Sequence, residues 1–176
     1  MEISIAQTIP QNLFKGHEAG VTAILQLPIL NGPEGLGDLL LTGSYDDFVR
    51  IYTTYDTRPG QKTTGKALAE LKIGGGVWRL KFLDQKEKDQ GADGEIKFRV
   101  LASCMHAGAR ILEVSKGRDG EWRINILGSV TIHESMNYGS DVQPTEDLSP
   151  DTERLCVSTS FYDRLVCIWR FDPQAI

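Results

Sequence analysis

The amino-acid sequence predicts an all-β fold made of a repeated sheet unit, on the strength of three hairpin patterns and their near-equal spacing. Residues 38–52, DLLLTGSYDDFVRIY, run a leucine-rich strand into a Gly-Ser-Tyr-Asp-Asp turn and out through Phe48, Val49, Ile51 and Tyr52. Short apolar and β-branched runs around such a corner read as a β-hairpin. Residues 99–112, RVLASCMHAGARIL, and 154–169, RLCVSTSFYDRLVCIW, repeat the order of apolar strand, small-residue shoulder, polar turn and apolar strand. With Asp46, His106 and Asp163 aligned, successive units lie 60 and 57 residues apart.

Taken in order, residues 2–9 alternate weakly and are expected to form an outer strand. Lys15-Gly16-His17-Glu18-Ala19-Gly20-Val21 leads into a strand at 22–27, a turn-rich loop at 31–35 precedes the first hairpin, and a polar loop at 57–65 leads to a fourth strand at 67–73. The second unit opens at Gly74-Gly75-Gly76-Val77-Trp78-Arg79 with a strand at 77–83. Residues 84–95, DQKEKDQGADGE, read as a charged, solvated insertion, and a strand at 122–132 closes the unit after the second hairpin. The third unit starts at 133–141, HESMNYGSD, crosses an acidic loop at 141–151 and ends with the Asp163 hairpin. The few residues left after Arg170 are too short for a fourth strand.

Four-stranded meanders at this period predict a β-propeller, with blades at 14–73, 74–132 and 133–176 and residues 1–13 as the outer strand of a preceding blade. The details look like WD repeats: Gly16-His17 ahead of the inner strand, an Asp in the middle hairpin, and Ile168-Trp169 closing the third strand. In the second unit the place of His17 falls on Ile73 and that of Asp46 on His106. Propellers close with about four to eight blades. Three blades leave open edges, so the chain is expected to be the C-terminal part of a longer propeller or a truncated gene product.

Composition narrows the function. A 40% hydrophobic chain of 176 residues can bury a core, while the net charge of −5 argues against a nucleic-acid surface. Three cysteines, Cys104, Cys156 and Cys167, two of them in strand patterns, suit buried thiols in a reducing compartment. The first residues lack a basic start and an apolar stretch, and no apolar run is long enough to span a membrane. A cytoplasmic protein is the expectation.

On the propeller reading, His17, Trp78, Arg79, His106, Tyr138, Asp141 and Asp163 share one rim. Convergent ionisable and aromatic groups at a concave mouth are the usual form of a site. His17 with Asp46, and Asp163 in the third blade, read as structural hydrogen-bonding residues, and His133 and Glu134 as a loop cap. His106 stands where the structural Asp is missing, so it is a candidate for chemistry. Cys104, two residues earlier, reads as a small buried hydrophobe or as a nucleophile. No metal-ligand spacing, phosphate loop or dinucleotide fingerprint is present, and no metal or cofactor is expected. On the residues alone, a non-catalytic interaction platform is the stronger reading.

The motifs HEAGV (17–21), TGSYDD (42–47), GGVWRLKF (75–82), SCMHAG (103–108), HESMNYGSD (133–141) and TSFYDRLVCIW (159–169) together resemble the diphthine methyltransferase family. Val142 departs from the Trp common at that place in the family. The resemblance implies a WD-repeat methyl-ester hydrolase of diphthamide biosynthesis. Its substrate would be methylated diphthine on translation elongation factor two, and its product the carboxylate needed for the final amidation. On that basis His106 is expected to act as general base, Arg79 to stabilise the oxyanion, and Trp78, Tyr138 and Asp141 to hold the trimethylammonium group, with Cys104 as the alternative nucleophile. The competing expectation is a scaffold that docks the elongation factor without turnover. The 176-residue piece alone is expected to be inactive.

Overall fold

The computed structural model describes residues 16–28, 38–54, 67–88, 95–144 and 152–174. The expected outer strand at residues 2–9 and the loops at 31–35 and 57–65 lie outside them. Among the described residues every regular element is a strand, and the strands form three antiparallel sheets. β1 (Val21–Leu27), β2 (Asp38–Ser44), β3 (Phe48–Thr54) and β4 (Ala69–Lys72) make a meander in chain order. β5 (Arg79–Lys88), β6 (Glu95–Ser103), β7 (Ala109–Lys116) and β8 (Trp122–Val130) make a second. β9 (Asn137–Val142), β10 (Arg154–Ser160) and β11 (Val166–Phe171) make a three-stranded third. The fold is an incomplete β-propeller, with its ring of blades open.

The core lies between neighbouring blades. Leu39, Leu41, Val49 and Ile51 of the first sheet pack with Phe98, Val100, Ala102, Leu112 and Val114 of the second. The other face of the second sheet presents Leu101, Ala109 and Ile111 to Val142, Cys156 and Phe171 of the third. Covered on both faces, β6 carries the near-continuous apolar run VLA at 100–102 instead of a simple alternation. In the first two sheets the cross-strand pairs Leu41–Ile51 and Leu101–Ile111 are shut off from solvent. The corresponding pair in the third sheet is Val157–Ile168, and there Ile168 is 70% exposed. That face is where the ring stays open.

Residues 84–88, expected in a solvated loop, instead extend β5. A register shift between Phe82 and Asp84 brings Asp84 opposite Arg99. The Asp84 carboxylate is buried between two buried guanidiniums, with Arg99 Nε donating at 2.7 Å to one oxygen and Arg154 Nη2 ion-paired with the other at 2.7 Å. Arg154 Nη1 also donates to the Leu83 carbonyl at 3.1 Å, and the Arg99 guanidinium stands over the Phe171 ring at 5.7 Å. A charge pattern that reads as solvated in one dimension is here a clamp between the second and third blades.

Polar chains also stitch the first and third blades internally. His17 Nδ1 lies 3.0 Å from the Asp46 carboxylate and its Nε2 2.8 Å from Thr42 Oγ1. Asp46 also accepts from the N–H groups of Glu18 and Phe48 and from Arg50 Nη1 at 2.7 Å. In the third blade His133 Nε2 lies 2.8 Å from Ser158 Oγ, which accepts from Trp169 Nε1 at 3.2 Å, and the Glu134 N–H donates to Asp163. His133 is thus buried inside its blade, four residues before β9 as His17 is four before β1. Among its described residues the second blade has none of this chain. Register puts buried Ala102 where Thr42 and Ser158 stand, and buried Leu112 where Trp169 stands.

Replacing Asp84 with Ala strands two buried guanidiniums, so chemical denaturation is expected to show a loss of about 3–5 kcal/mol. Burial raises the Asp46 carboxyl, but the bonds from Arg50, Glu18, His17 and Phe48 outweigh it and hold the group far below the usual carboxylate range. Its contribution is therefore present above the unfolded carboxylate pKa of about 4 and lost as pH falls toward the folded value. Unfolding followed across acid pH should show a shallower loss of stability in Asp46→Asn than in the parent protein.

Candidate functional site

The β2–β3, β6–β7 and β10–β11 turns meet the segments leading into β1, β5 and β9 at one end of the molecule. Five backbone hydrogen bonds set this meeting, alternating within and between blades. The Tyr45 N–H donates to Gly20 O at 3.1 Å, Val77 N–H to Ser44 O at 2.9 Å, Trp78 N–H to Ser103 O at 2.8 Å, Asn137 N–H to Met105 O at 2.9 Å, and Phe161 N–H to Met136 O at 3.1 Å. Loops more than a hundred residues apart in the chain are brought to one rim by this route.

Two of the aromatic candidates touch. The ring centroids of Trp78 and Tyr138 are 4.9 Å apart and tilted by 54°. Tyr45 extends the contact on one side, 6.0 Å from Trp78, and Phe161 on the other, 5.9 Å from Tyr138, with Tyr162 a further 5.0 Å on. Tyr45, Phe161 and Tyr162 are not among the residues expected at the site. The signal was present, because in both SYDD and SFYD an aromatic residue directly precedes the turn Asp.

His106 sits exposed in the turn between β6 and β7. That turn is held by Ala107 N–H to Cys104 O at 2.8 Å, Gly108 N–H to Met105 O at 3.2 Å and Cys104 N–H to Gly108 O at 2.8 Å. Gly108 has φ +76°, and a Cβ there would overlap the Val130 carbonyl oxygen. Met105 also takes positive φ, at +43°. Because Met105 O receives the Asn137 N–H, the turn carrying His106 is tied to the residue just before Tyr138. Asn137 itself is fully buried, its side chain donating to Gly139 O and Thr159 O and accepting from Ser140 Oγ.

The other candidates divide by exposure. Arg79 is exposed at the start of β5. Asp141 is exposed and ion-paired with Lys81, a partner the sequence reading did not name. The Lys81 hydrogen bond, the Val142 N–H and the nearby Arg79 charge hold the Asp141 carboxyl below its usual range. Cys104 is fully buried, and desolvation pushes its thiol up to about 12. A thiol shut off from solvent in this way is held in its protonated form, which is a poor nucleophile. The Ser158–His133 pair resembles a nucleophile and base in distance alone: Ser158 is fully buried and receives the Trp169 N–H. His17 and Asp46 are engaged within the first blade, while Asp163 is exposed and takes the Glu134 N–H. Among the described residues no group of three metal-ligating side chains gathers. The rim therefore offers aromatic faces for a soft cation, with an exposed imidazole on a turn bonded to the segment before Tyr138 and an exposed guanidinium at the start of β5.

No family model matches the chain. Three curated relatives do, each named diphthine methyltransferase. The Schizosaccharomyces pombe protein is 35% identical over 156 residues, covering 87% of this chain and 38% of that protein. The Homo sapiens protein is 29% identical over 127 residues, 72% of this chain and 23% of its own length. The Mus musculus protein is 33% identical over 103 residues, 58% of this chain and 18% of its own. The matches thus span less than two fifths of each relative. Across most of its length, this chain belongs to the diphthine methyltransferase family.

Proposed function

We propose that the full-length polypeptide hydrolyses the methyl ester of methylated diphthine on translation elongation factor two, as a WD-repeat esterase of the cytoplasm. The observation that carries this reading is the Trp78–Tyr138 pair at a rim shared with the His106 turn. A trimethylammonium group is attracted to aromatic faces, which bind it without needing to hydrogen-bond it. Seated there, it would present the ester beside the turn that carries the imidazole.

His106 takes a proton from water, and the hydroxide formed attacks the ester carbonyl. Arg79 offsets the charge on the tetrahedral oxyanion. Collapse breaks the bond to the methoxy oxygen, the His106 imidazolium protonates that oxygen, methanol leaves, and the carboxylic acid left on the factor loses its proton to solvent. Asp141, expected to help hold the cation, is already ion-paired with Lys81, so the aromatic faces carry that role.

Incubating the full-length polypeptide with the methylated factor, and following the methyl ester by mass spectrometry, tests the reading. Removing the base in His106→Ala should lower kcat by roughly 10²–10⁴-fold with the fold kept. Near-parental turnover would remove His106 from the mechanism, and binding without turnover by the parent protein would leave a docking scaffold. Trp78→Ala should raise KM about tenfold with a smaller change in kcat.

A further inference from the structure

The aromatic row is longer than a trimethylammonium group requires. Two tilted rings already provide faces for one cation, yet five rings run in contact across all three blades, from Tyr45 through Trp78, Tyr138 and Phe161 to Tyr162. The outlying rings are the most open: Tyr45 is 47% exposed, Phe161 65% and Tyr162 71%, against 37% for Trp78. Large apolar side chains left this accessible in a contiguous line mark an interaction surface.

We infer that the row is a docking track for the polypeptide flanking the modified side chain, with Tyr45 on one side of the chemical site and Phe161 and Tyr162 on the other. The inference rests on the proposed reaction, and three observations select a polypeptide as occupant. The row is continuous with the pair that would hold the cation, so a chain bearing that side chain has to pass over its neighbours. Its four ring-to-ring steps of 4.9 to 6.0 Å give a path of at most about 22 Å, the reach of roughly six to seven residues of extended chain. The outer rings also sit on fixed backbone. The Tyr45 and Phe161 N–H groups are bonded to neighbouring segments, and the Tyr162 N–H donates to Ser135 Oγ at 3.1 Å. Aromatic side chains presented by a rigid backbone lose little freedom on binding, which is why they dominate the affinity of protein interfaces.

The test is the double variant Phe161→Ser, Tyr162→Ser in the full-length polypeptide. Both side chains are exposed, so the fold is expected to hold. Affinity for the methylated elongation factor should fall by about tenfold or more. Affinity for, and turnover of, the free methylated-diphthine methyl ester without flanking peptide should stay at the parental level. Equal affinity of variant and parent for the protein substrate would overturn the track while leaving the proposed reaction standing. An equal loss on the free ester would also overturn it, by placing these rings in the chemical site. Should the parent bind the factor without hydrolysing it, the reaction fails and the affinity comparison still decides the track. Absence of binding by the parent would overturn both.

Discussion

The hairpin end of the molecule is governed by a constraint on backbone groups: an N–H or C=O taken out of water has to find a partner. Each hairpin turn here leaves such groups facing the segment that leads into an inner strand, and neighbouring blades satisfy them alternately. Ser44 O takes the N–H of Val77 from the next blade, and Met105 O takes that of Asn137 from the next again. Side-chain identity enters only where backbones must come close. A Cβ on Gly43 would overlap Val77, and one on Gly75 would overlap the Cys104 carbonyl oxygen. The glycines in TGS and GGG therefore permit the approach that brings Trp78, Tyr138 and the His106 turn to one rim.

The middle blade differs from its neighbours in a way that bears on chemistry. In the first blade a histidine links Asp46 to Thr42, and in the third a histidine reaches Ser158 while the turn aspartate takes a backbone N–H. The middle blade replaces these polar links with buried Ala102 and Leu112 and keeps its shape by packing. Its turn histidine is then free of a structural duty, and stands in solvent. The second blade recovers cohesion on its other side, where Asp84 and Arg99 meet Arg154 of the third blade in a buried ion cluster. Burying three charges is tolerable because two guanidiniums share one carboxylate and one of them also bonds the Leu83 carbonyl.

The open face of the third sheet follows from the same repetition. Each blade turns one apolar face to the next, and the third blade has the same face, with Leu155, Val166 and Ile168 exposed on it. Repeat units that cannot bury their apolar faces alone depend on neighbours for stability. The relatives are more than twice as long as the matched region, which agrees with the exposure seen at this face.

The strands, their hairpin pairing and the blade period were legible in the sequence, because alternation of side chains and turn residues act over a few neighbours. That Trp78 and Tyr138 share a rim was expected from the likeness to WD repeats, while the contact between their rings emerged only in the structure. Other features were not legible. Asp84 reads as part of a charged loop until a register shift turns it toward arginines 15 and 70 residues away. His133 reads as a loop cap until Ser158 and Trp169 close over it, and Cys104 reads as a possible nucleophile until packing buries it. The sequence by itself determined which segments become strands and which residues lead each turn, since local patterning carries that information. Only the tertiary structure decided which charges are buried, which histidine is left exposed and how far the aromatic row runs, because desolvation and ring contact depend on neighbours distant in the chain.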